Sequence, residues 1–600
     1  MEFSKSKPHP KNCPSHLERR ILPQLKLACR HLTVLGLILL FMACQSQEPS
    51  KTSILPTARV NETSQVTPTV SLARAESTDE AAPPTTSTPT TTFTATAAPT
   101  STPTRPPKPT PSASATATSA PPATPSPTVT PVPPTATPSS TAITSASAAQ
   151  LDCSDPVVTS ASPPADGPVA LRSDIQLRKV IETPGFFVRL DLDPLTNNLF
   201  YMDSEANIYR LNLQPGTNSE STRVYTLADI GGAPFTLGMA FGPDGTLYIV
   251  GNDSQVDTTR AIIRQGVPNE SGERVWSTLA ATAPYPKSNT TFDHVFSGIV
   301  ASPDGQNVYV TSGSRTDHGE VQANNGKFPG VREVPLTAAI FRIPTAGTDL
   351  MLVNDEAELQ AQGYLFARGL RNAFDLAYAP NGDLFASENG PDSDYPEELN
   401  WIRQGHHYGF PWRMGNYDNR QQFPDYDPTQ DPWLIPDSHA VEVGAYTNDP
   451  TFPPPAPALT FAEPIPNFGP DGDHFRDLEG CEHDASQLDL SLGTFTSHRS
   501  PLGLTFDLKG TLSEEFRGDA FILSFGPAYE ASLMDRGQDL LHLELTKTGD
   551  SYQVRATQLV RGFHFPIDSV LVNNKLYILE FGGEGFVGEG TGTIWEVTLP

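Results

Sequence analysis

The chain has 600 residues, and its 40 Lys and Arg face 68 Asp and Glu, which gives a formal net charge of −28. This acidic balance argues against a nucleic-acid partner, because neutralising phosphates requires clustered Lys and Arg. The length could hold several domains, although one large all-β unit can absorb most of it. An acidic surface favours solubility and also leaves carboxylates for holding calcium.

The N-terminal region has the pattern of an export signal. Basic residues precede the apolar run Leu32 to Ala43, which is too short to span a bilayer comfortably. The segment from Leu40 to Cys44 resembles a bacterial lipobox, so we expect residues 1–43 to be a lipoprotein signal peptide and Cys44 to carry lipid. A plain signal peptide and an uncleaved anchor are the alternatives. All three place the rest of the chain outside the cytoplasm, and the lipid would attach it to a membrane.

Residues 44–150 differ sharply in composition from residues 151–600. They are rich in Thr, Pro, Ser and Ala. Such a segment has too few large apolar side chains to offset the entropy of ordering, so we expect a disordered linker, stiffened locally by polyproline II. Residues 151–600 are then the folded part.

Two cysteines remain in the folded part, Cys153 and Cys481. In an oxidising compartment two leftover cysteines suggest one disulfide, which would clip the start of the domain to a long late loop. Two separate thiols are the alternative.

One unit recurs along the folded part. It consists of a hydrophobic strand, a turn of the Pro-Asp-Gly or Asn-Gly type, and a second, alternating strand that contains an aromatic residue. The six copies run from Val188 to Tyr201, Gly238 to Val250, Gly298 to Val310, Asp375 to Ala386, Gly503 to Leu523 and Ile567 to Leu579.

Six such units predict an all-β, six-bladed β-propeller over residues 151–600. Each small sheet buries its faces against its neighbours around a ring, which also protects the sheet edges. A pair of β-sandwiches is the main alternative. Propellers place function on the loops at one end of the channel, so the long polar loops are the candidate site. They run from Asn289 to Asn325, from Asn389 to Trp412 and from Met414 to about Gly493.

Four stretches, in order along the chain, carry a family resemblance. They are Arg368 to Tyr378, Ser387 to Asp392, Glu397 to Asn400, and Gly405 to Trp412, which reads Gly-His-His-Tyr-Gly-Phe-Pro-Trp. Together they closely resemble the signature of the glucose/sorbosone dehydrogenase family, and weaker similarity covers residues 175–600.

The resemblance implies an enzyme that holds pyrroloquinoline quinone (PQQ) over the channel with calcium nearby and oxidises an aldose at its anomeric carbon. His294, in an Asp-His element, matches the base that takes the hydroxyl proton; such a base must be neutral at the working pH. Arg371 and Asn372 match the pair that faces the cofactor. The calcium ligands implied are the carbonyls of Gly390 and Pro391, with Glu398, Tyr408 and Asp418 at a second site.

The chain departs from the family pattern at several positions. Ser314 stands where the family has the Asp that partners the catalytic histidine, and we expect Asp317 to substitute. Two arginines and a lysine expected late in the chain are missing. Because the three carboxylates of PQQ need cationic partners, we expect Arg499, Arg536 or Arg561 to supply replacement charge.

Three functions remain open from the sequence. The first is an extracytoplasmic, PQQ-dependent sugar oxidoreductase that uses His294 as base. The second is a catalytically degenerate propeller that binds a carbohydrate or a protein. The third is hydrolysis of a lactone or ester by a calcium-bearing propeller. We expect a monomer with a small sugar as its ligand, and fold resemblance alone cannot choose among the three because propellers host many functions.

Overall fold

The computed structural model describes Cys153, Val157, Tyr529 and residues 167–213, 219–527, 532–582 and 591–600. The predicted signal peptide, the lipidated Cys44 and the linker through residue 150 lie outside the described residues. Within the described part, no helix is long and apolar enough to cross a membrane.

Six sheets form the ring, so the six-bladed all-β propeller predicted from the repeats is confirmed. The chain enters through two strands, β1 (Val169–Ala170) and β2 (Gln176–Pro184), which belong to the last two blades. Blade 1 comes next and has the strand order β3-β4-β5-β6. Its strands are β3 (Phe187–Leu192), β4 (Leu199–Asp203), β5 (Ile208–Asn212) and β6 (Glu220–Tyr225), and helix α1 (Leu227–Ile230) leads out of it.

Blades 2 and 3 are built in the same way. Blade 2 contains β7 (Phe235–Phe241), β8 (Leu247–Ser254), β9 (Thr258–Pro268), β10 (Arg274–Thr282) and the short β11 (Tyr285–Pro286). Blade 3 contains β12 (Phe296–Ala301), β13 (Asn307–Ser312), β14 (Ala339–Pro344) and β16 (Leu365–Arg368). Between β14 and β16 the chain adds β15 (Leu350–Leu352), which joins the outer edge of blade 2, and helix α2 (Glu356–Ala361).

Blade 4 has three strands, β17 (Ala373–Tyr378), β18 (Leu384–Glu388) and β19 (Glu398–Ile402). A long insertion then separates it from blade 5. The insertion contains the hairpins β20 (Arg413–Met414) with β21 (Tyr417–Asp418) and β22 (His474–Arg476) with β23 (Glu482–Asp484). It also contains helix α3 (His439–Glu442) and the 3₁₀ turns Arg420–Gln422, Pro428–Gln430 and Ser486–Leu488.

Blades 5 and 6 close the ring with strands from both ends of the domain. Blade 5 contains β24 (Pro501–Phe506), β25 (Ala520–Ser524), β26 (Asp539–Thr548) and β27 (Ser551–Arg561), and β1 pairs with β27. Blade 6 contains β28 (Pro566–Val572), β29 (Lys575–Glu580) and β30 (Thr591–Thr598), and β2 pairs antiparallel with β30. Because the first and last parts of the domain share one sheet, the ring cannot open without breaking that pairing.

The predicted turns are present between the paired strands. Gly245, Gly305 and Gly382 take φ values of 79°, 70° and 86° in the turns of blades 2, 3 and 4. Side chains with a Cβ atom rarely adopt this conformation, which explains glycine at the third turn position.

Glycine also lets the innermost strands of neighbouring blades approach each other around the channel. A Cβ atom on Gly238 would lie 2.3 Å from the carbonyl oxygen of Ser297 in the next blade. One on Gly298 would lie 2.7 Å from the carbonyl oxygen of Phe374. These contacts exclude any larger residue without a shift of the backbone.

Buried aspartates tie the innermost strands together. Each accepts a hydrogen bond from a backbone N–H of the next blade, and burial raises the pKa of Asp191 to about 7. Arg189 crosses the channel to donate to the carbonyls of Leu237 (2.7 Å) and Phe374 (2.8 Å). The three aspartate bonds are Asp191 with Phe241 N (2.7 Å), Asp375 with Leu504 N (2.9 Å) and Asp568 with Leu190 N (2.8 Å).

Cys153 and Cys481 form a disulfide with their Cα atoms 5.2 Å apart. The bond joins the start of the described chain to the insertion, as expected from the sequence. It closes a sequence separation of 328 residues.

Candidate functional site

The candidate site lies at one end of the channel, where innermost strands begin and their partner strands end. The backbone of His294 is held between blade strands: its N–H donates to Ser314 O (2.9 Å), and Gly313 N donates to its carbonyl (3.1 Å). Gly313 permits this approach, because a Cβ there would lie 2.4 Å from the Cβ of His294. Ser314 N in turn donates to Arg371 O (2.6 Å), so the structure brings His294 and Arg371 together.

The His294 imidazole is neutral and part-exposed. Desolvation and the nearby Arg371 guanidinium lower its pKa to about 3. Its Nδ1 lies 3.3 Å from Ser314 Oγ. A neutral imidazole accepts a hydrogen bond from a hydroxyl, or its proton, through whichever ring nitrogen is unprotonated.

The Arg371 guanidinium is engaged in hydrogen bonds within the protein. Its side chain is buried, and it donates to Asp317 O (2.7 Å), Asp317 Oδ1 (2.8 Å) and Asn389 O (3.3 Å). Asp317 is fully buried. The two side chains form a charge-neutral pair in a water-poor environment, where opposite charges attract strongly.

Asp317 has no capacity left for His294, which corrects the expectation that it partners that histidine. Its Oδ1 accepts from Arg371 and from Asp392 N (3.1 Å), and its Oδ2 accepts from His318 Nδ1 (2.9 Å) and the Tyr446 hydroxyl (3.0 Å). Burial works to raise the pKa of Asp317, but Arg371 and His318 outweigh it and the net pKa is lowered. Ser314 itself takes the position beside the His294 ring.

Asn372 lies next to Arg371 and remains part-exposed. Its Nδ2 donates to Asn389 Oδ1 (3.1 Å), and Asn389 Nδ2 donates to Pro501 O (3.2 Å). His294, Asn372 and Asn389 line the floor of this end of the channel, which we call the funnel. Their side chains are neutral groups able both to donate and to accept hydrogen bonds.

Arg499 does not supply charge to the funnel, contrary to the expectation from the sequence. It is buried and ion-paired with Asp535, and its Nη2 lies 2.7 Å from both carboxylate oxygens of Asp539. Asp539 is fully buried, and Ser524 Oγ accepts a further bond at 3.1 Å. The carboxylates of Asp535 and Asp539 therefore neutralise the positive charge of Arg499 within blade 5.

The implied calcium ligands are engaged elsewhere. Glu398 is buried and accepts from Gly415 N (2.6 Å) and Asn400 Nδ2 (2.8 Å). The Tyr408 hydroxyl donates to Trp401 O (2.7 Å), whereas Asp418 is exposed and pairs with Arg413 at 2.7 Å. Glu398, Tyr408 and Asp418 therefore do not form a shared donor set, and this arrangement does not fit a calcium ion.

Gly390 lies with Glu388 and Glu398 on a cavity of about 10 Å³, which also borders Arg371. That volume is room for a single water molecule. Pro391 follows on the same loop and is buried. The described residues contain no group of three or more His, Cys, Asp or Glu arranged to hold a metal.

A segment of the insertion covers part of the site; we call residues 434–449 the cap. Helix α3 begins in it, and Ala440 N donates to Asp392 Oδ2 (2.9 Å). Phe292, two residues before His294, packs with Ala440 and Tyr446 in a small apolar cluster. The cap therefore contacts the loops that carry His294, Asp317 and Asp392.

Sequence reasoning missed three contributors: His318, Tyr446 and the pair of Asp392 with Tyr529. Tyr529 donates to Asp392 Oδ1 at 2.6 Å. Tyr446 lies in a Pro- and Asp-rich stretch with no periodic pattern, so no sequence signal singles it out. The Asp-His dipeptide at 317 and 318 was a usable signal, because a carboxylate beside a histidine commonly orients or charges it.

The comparisons with known proteins agree with the sequence motifs. The family described as Glucose / Sorbosone dehydrogenase matches residues 223–440. Quinoprotein glucose dehydrogenase B of Acinetobacter calcoaceticus is 28% identical over 236 residues, which cover 36% of this chain and 48% of that protein. Residues 223–440 are therefore similar to the glucose/sorbosone dehydrogenase family. It spans about half the length of the curated relative it matches.

Solved structures of sugar dehydrogenases are similar to this chain at low sequence identity. A glucose dehydrogenase has a TM-score of 0.43 at 16% identity, covering 71% of this chain and 99% of the other. The soluble aldose sugar dehydrogenase of Escherichia coli has a TM-score of 0.42 at 13% identity, covering 71% and 100%. The PQQ-bound aldose sugar dehydrogenase of Streptomyces coelicolor has a TM-score of 0.40 at 18% identity, covering 73% and 99%.

The chemistry of the donor set here does not fit PQQ. The quinone brings carboxylates that need cationic partners when partly buried. Arg371 and Arg499 are each neutralised by buried aspartates. The neighbouring Asp392 is another carboxyl group and supplies no cation for the cofactor.

Proposed function

We propose that this protein is a sugar-binding propeller that does not carry the quinone. The observation that carries the proposal is the buried pairing of Arg371 with Asp317, which cancels the charge that would face the cofactor. Displacing Asp317 would leave a buried carboxylate that has lost its charge partner, and this is strongly unfavourable.

The remaining groups of the funnel suit a neutral polyhydroxy ligand. His294, Asn372 and Asn389 are part-exposed, and their side chains offer neutral donors and acceptors. Sugar hydroxyls both donate and accept, so such groups can pair with them without desolvating a charge. A small aldose is the ligand class that this chemistry and the family match support.

We place the propeller outside the cytoplasm, held at a membrane by lipid on Cys44 and spaced from it by residues 44–150. The disulfide of Cys153 with Cys481 supports an oxidising compartment. In this setting the protein would act as a monomeric receptor for extracellular sugar.

The test is titration calorimetry of the protein, including its linker (residues 44–150), with a panel of aldoses. We expect binding that His294→Ala weakens at least tenfold, because the substitution removes a neutral acceptor from the funnel floor. His406→Ala is the matched control, since that histidine is part-exposed and its side chain bonds Gln404 O in its own loop (3.2 Å). Equal loss in both variants, or no aldose binding by the unaltered protein, would contradict the proposal.

Sugar oxidation is a second candidate, and the neutral His294 beside Arg371 is the observation that favours it. A neutral imidazole is the form that can take a hydroxyl proton, and the matched relative is a quinoprotein glucose dehydrogenase. Dye-linked oxidation of aldoses after addition of quinone and calcium would select this candidate over simple binding.

A further inference from the structure

Tyr446 reaches into the site from the cap, not from a blade. Its hydroxyl donates to Asp317 Oδ2 at 3.0 Å, and Ser393 Oγ lies 3.0 Å from the same hydroxyl. Its ring stacks on the His318 imidazole, with ring centroids 3.9 Å apart and an interplanar angle of 12°. Asp317, His318 and Ser393 are fully buried beneath it.

Asp317, His318 and Ser393 together form a pocket for the Tyr446 side chain, which we call the Tyr446 seat. The seat presents a flat ring, a carboxylate and a hydroxyl to one inserted group. A pyranose offers the same combination, because one face of the ring is lined by C–H groups and its edge carries hydroxyls. Aromatic rings stack on such apolar faces, and carboxylates are strong acceptors for hydroxyls.

One polar atom of the seat has no partner among the described residues. His318 Nε2 is buried without a hydrogen bond, although its Nδ1 is bonded to Asp317. A buried polar group without a partner is costly, and the Tyr446 ring that lies against it offers only carbon atoms. A ligand with several hydroxyls could satisfy both this atom and the two groups that bond Tyr446.

The cap that carries Tyr446 packs on the small apolar cluster with Phe292, and several of its other contacts are polar. Arg332 pairs with Asp449, at 2.5 Å, and the side chains of both are only part-buried. Ser438 Oγ donates to Asp392 O at 3.2 Å, and Ala440 N bonds the Asp392 carboxylate. Short segments with few apolar contacts are drawn from the less stable parts of a fold, where local opening costs least.

We propose that Tyr446 is a built-in occupant of a sugar-binding seat, and that an aldose binds there by displacing the tyrosine. The inference rests on the proposed sugar-binding function and places the sugar ring beneath the cap, on Asp317, which is bonded by Arg371. In this arrangement Tyr446 sets the affinity of the protein, because every ligand must replace its stacking contact and its hydrogen bonds.

The test compares Tyr446→Ala, Tyr446→Phe and the control Tyr395→Ala by titration calorimetry with glucose and by thermal unfolding with p-cresol. Tyr395 is also buried, but its hydroxyl bonds Arg420 N at 3.0 Å and Asp418 O at 3.4 Å instead of Asp317. We expect Tyr446→Ala to bind glucose at least tenfold more tightly than the unaltered protein and Tyr446→Phe a few-fold more tightly. Tyr395→Ala should leave the affinity unchanged.

p-Cresol reports on the seat without reference to sugars. It should raise the unfolding temperature of Tyr446→Ala by several degrees and leave Tyr395→Ala unaffected, because only the first variant has an empty seat of that shape. If the unaltered protein binds glucose and neither Tyr446 variant binds it more tightly, the seat is overturned and the proposed function stands. If p-cresol binds Tyr446→Ala but no form binds any aldose, both the sugar seat and the proposed function fail. Should Tyr446→Ala not fold, the Tyr446→Phe affinity decides.

Discussion

Substitution of Asp317 by Asn tests the neutralised pair directly. The change keeps the shape of the side chain but removes its charge and leaves the Arg371 guanidinium, 5% exposed, without an anionic partner. Breaking a buried ion pair by removing one partner costs about 3–5 kcal/mol. Asp317 also accepts from His318 and Tyr446, so we expect the free energy of unfolding to fall by the upper part of that range.

Urea unfolding at pH 7, followed by tryptophan fluorescence and circular dichroism, measures the loss. Arg371→Met and the double variant with Asp317→Asn complete a thermodynamic cycle, and we expect the double variant to lose clearly less than the sum of the single variants. Asp418→Asn is the control, because its pair with Arg413 is exposed and such pairs contribute about 0–1 kcal/mol. A loss below about 1 kcal/mol for Asp317→Asn, or strict additivity in the cycle, would refute the claim that Arg371 and Asp317 neutralise each other in a buried ion pair.

Three further predictions concern stability and the geometry of the site. Burial raises the pKa of Glu397 to about 7, so the fold favours its protonated form and its contribution to stability should fall as pH rises from about 4.5 through 7. Glu397→Gln should reduce the total decline by on the order of 3 kcal/mol in urea midpoints taken at pH 4.5 and 8. Cys153→Ser should cost about 2–5 kcal/mol by removing the bond to Cys481, and thermal unfolding of the unaltered protein in reductant should show the same loss. Gly313→Ala places a methyl group 2.4 Å from the His294 Cβ, so it should lower the free energy of unfolding by about 1–3 kcal/mol and weaken aldose binding. Unchanged binding would show that His294 is not part of the aldose site.

The blades could be predicted from the sequence because each is a local pattern. A turn such as Pro243-Asp244-Gly245 and the alternation on either side of it specify two paired strands without any long-range information. The pairing of β2 with β30 was not predictable in this way, since the two strands lie at opposite ends of the domain.

The site could be predicted only as far as its backbone motifs reach. His294, Arg371 and Asn372 come from loops fixed by blade strands, and the structure brings them together. The partners of charged side chains were predicted wrongly. Arg499 forms ion pairs with Asp535 and Asp539. Asp317 forms an ion pair with Arg371 and accepts a hydrogen bond from Tyr446 of the insertion. The insertion has no repeat to fix its position, so sequence spacing could not show that Tyr446 covers Asp317.

Equilibrium dialysis of the purified protein against PQQ with excess calcium tests most directly whether the funnel has lost its cofactor. The quinone is followed by its absorbance, and a protein-free control compartment measures unbound cofactor. Because Arg371 and Arg499 are neutralised within the protein, we predict no uptake above the control at micromolar quinone. Uptake of one quinone per chain, followed by reduction of a dye when an aldose is added, would contradict the account.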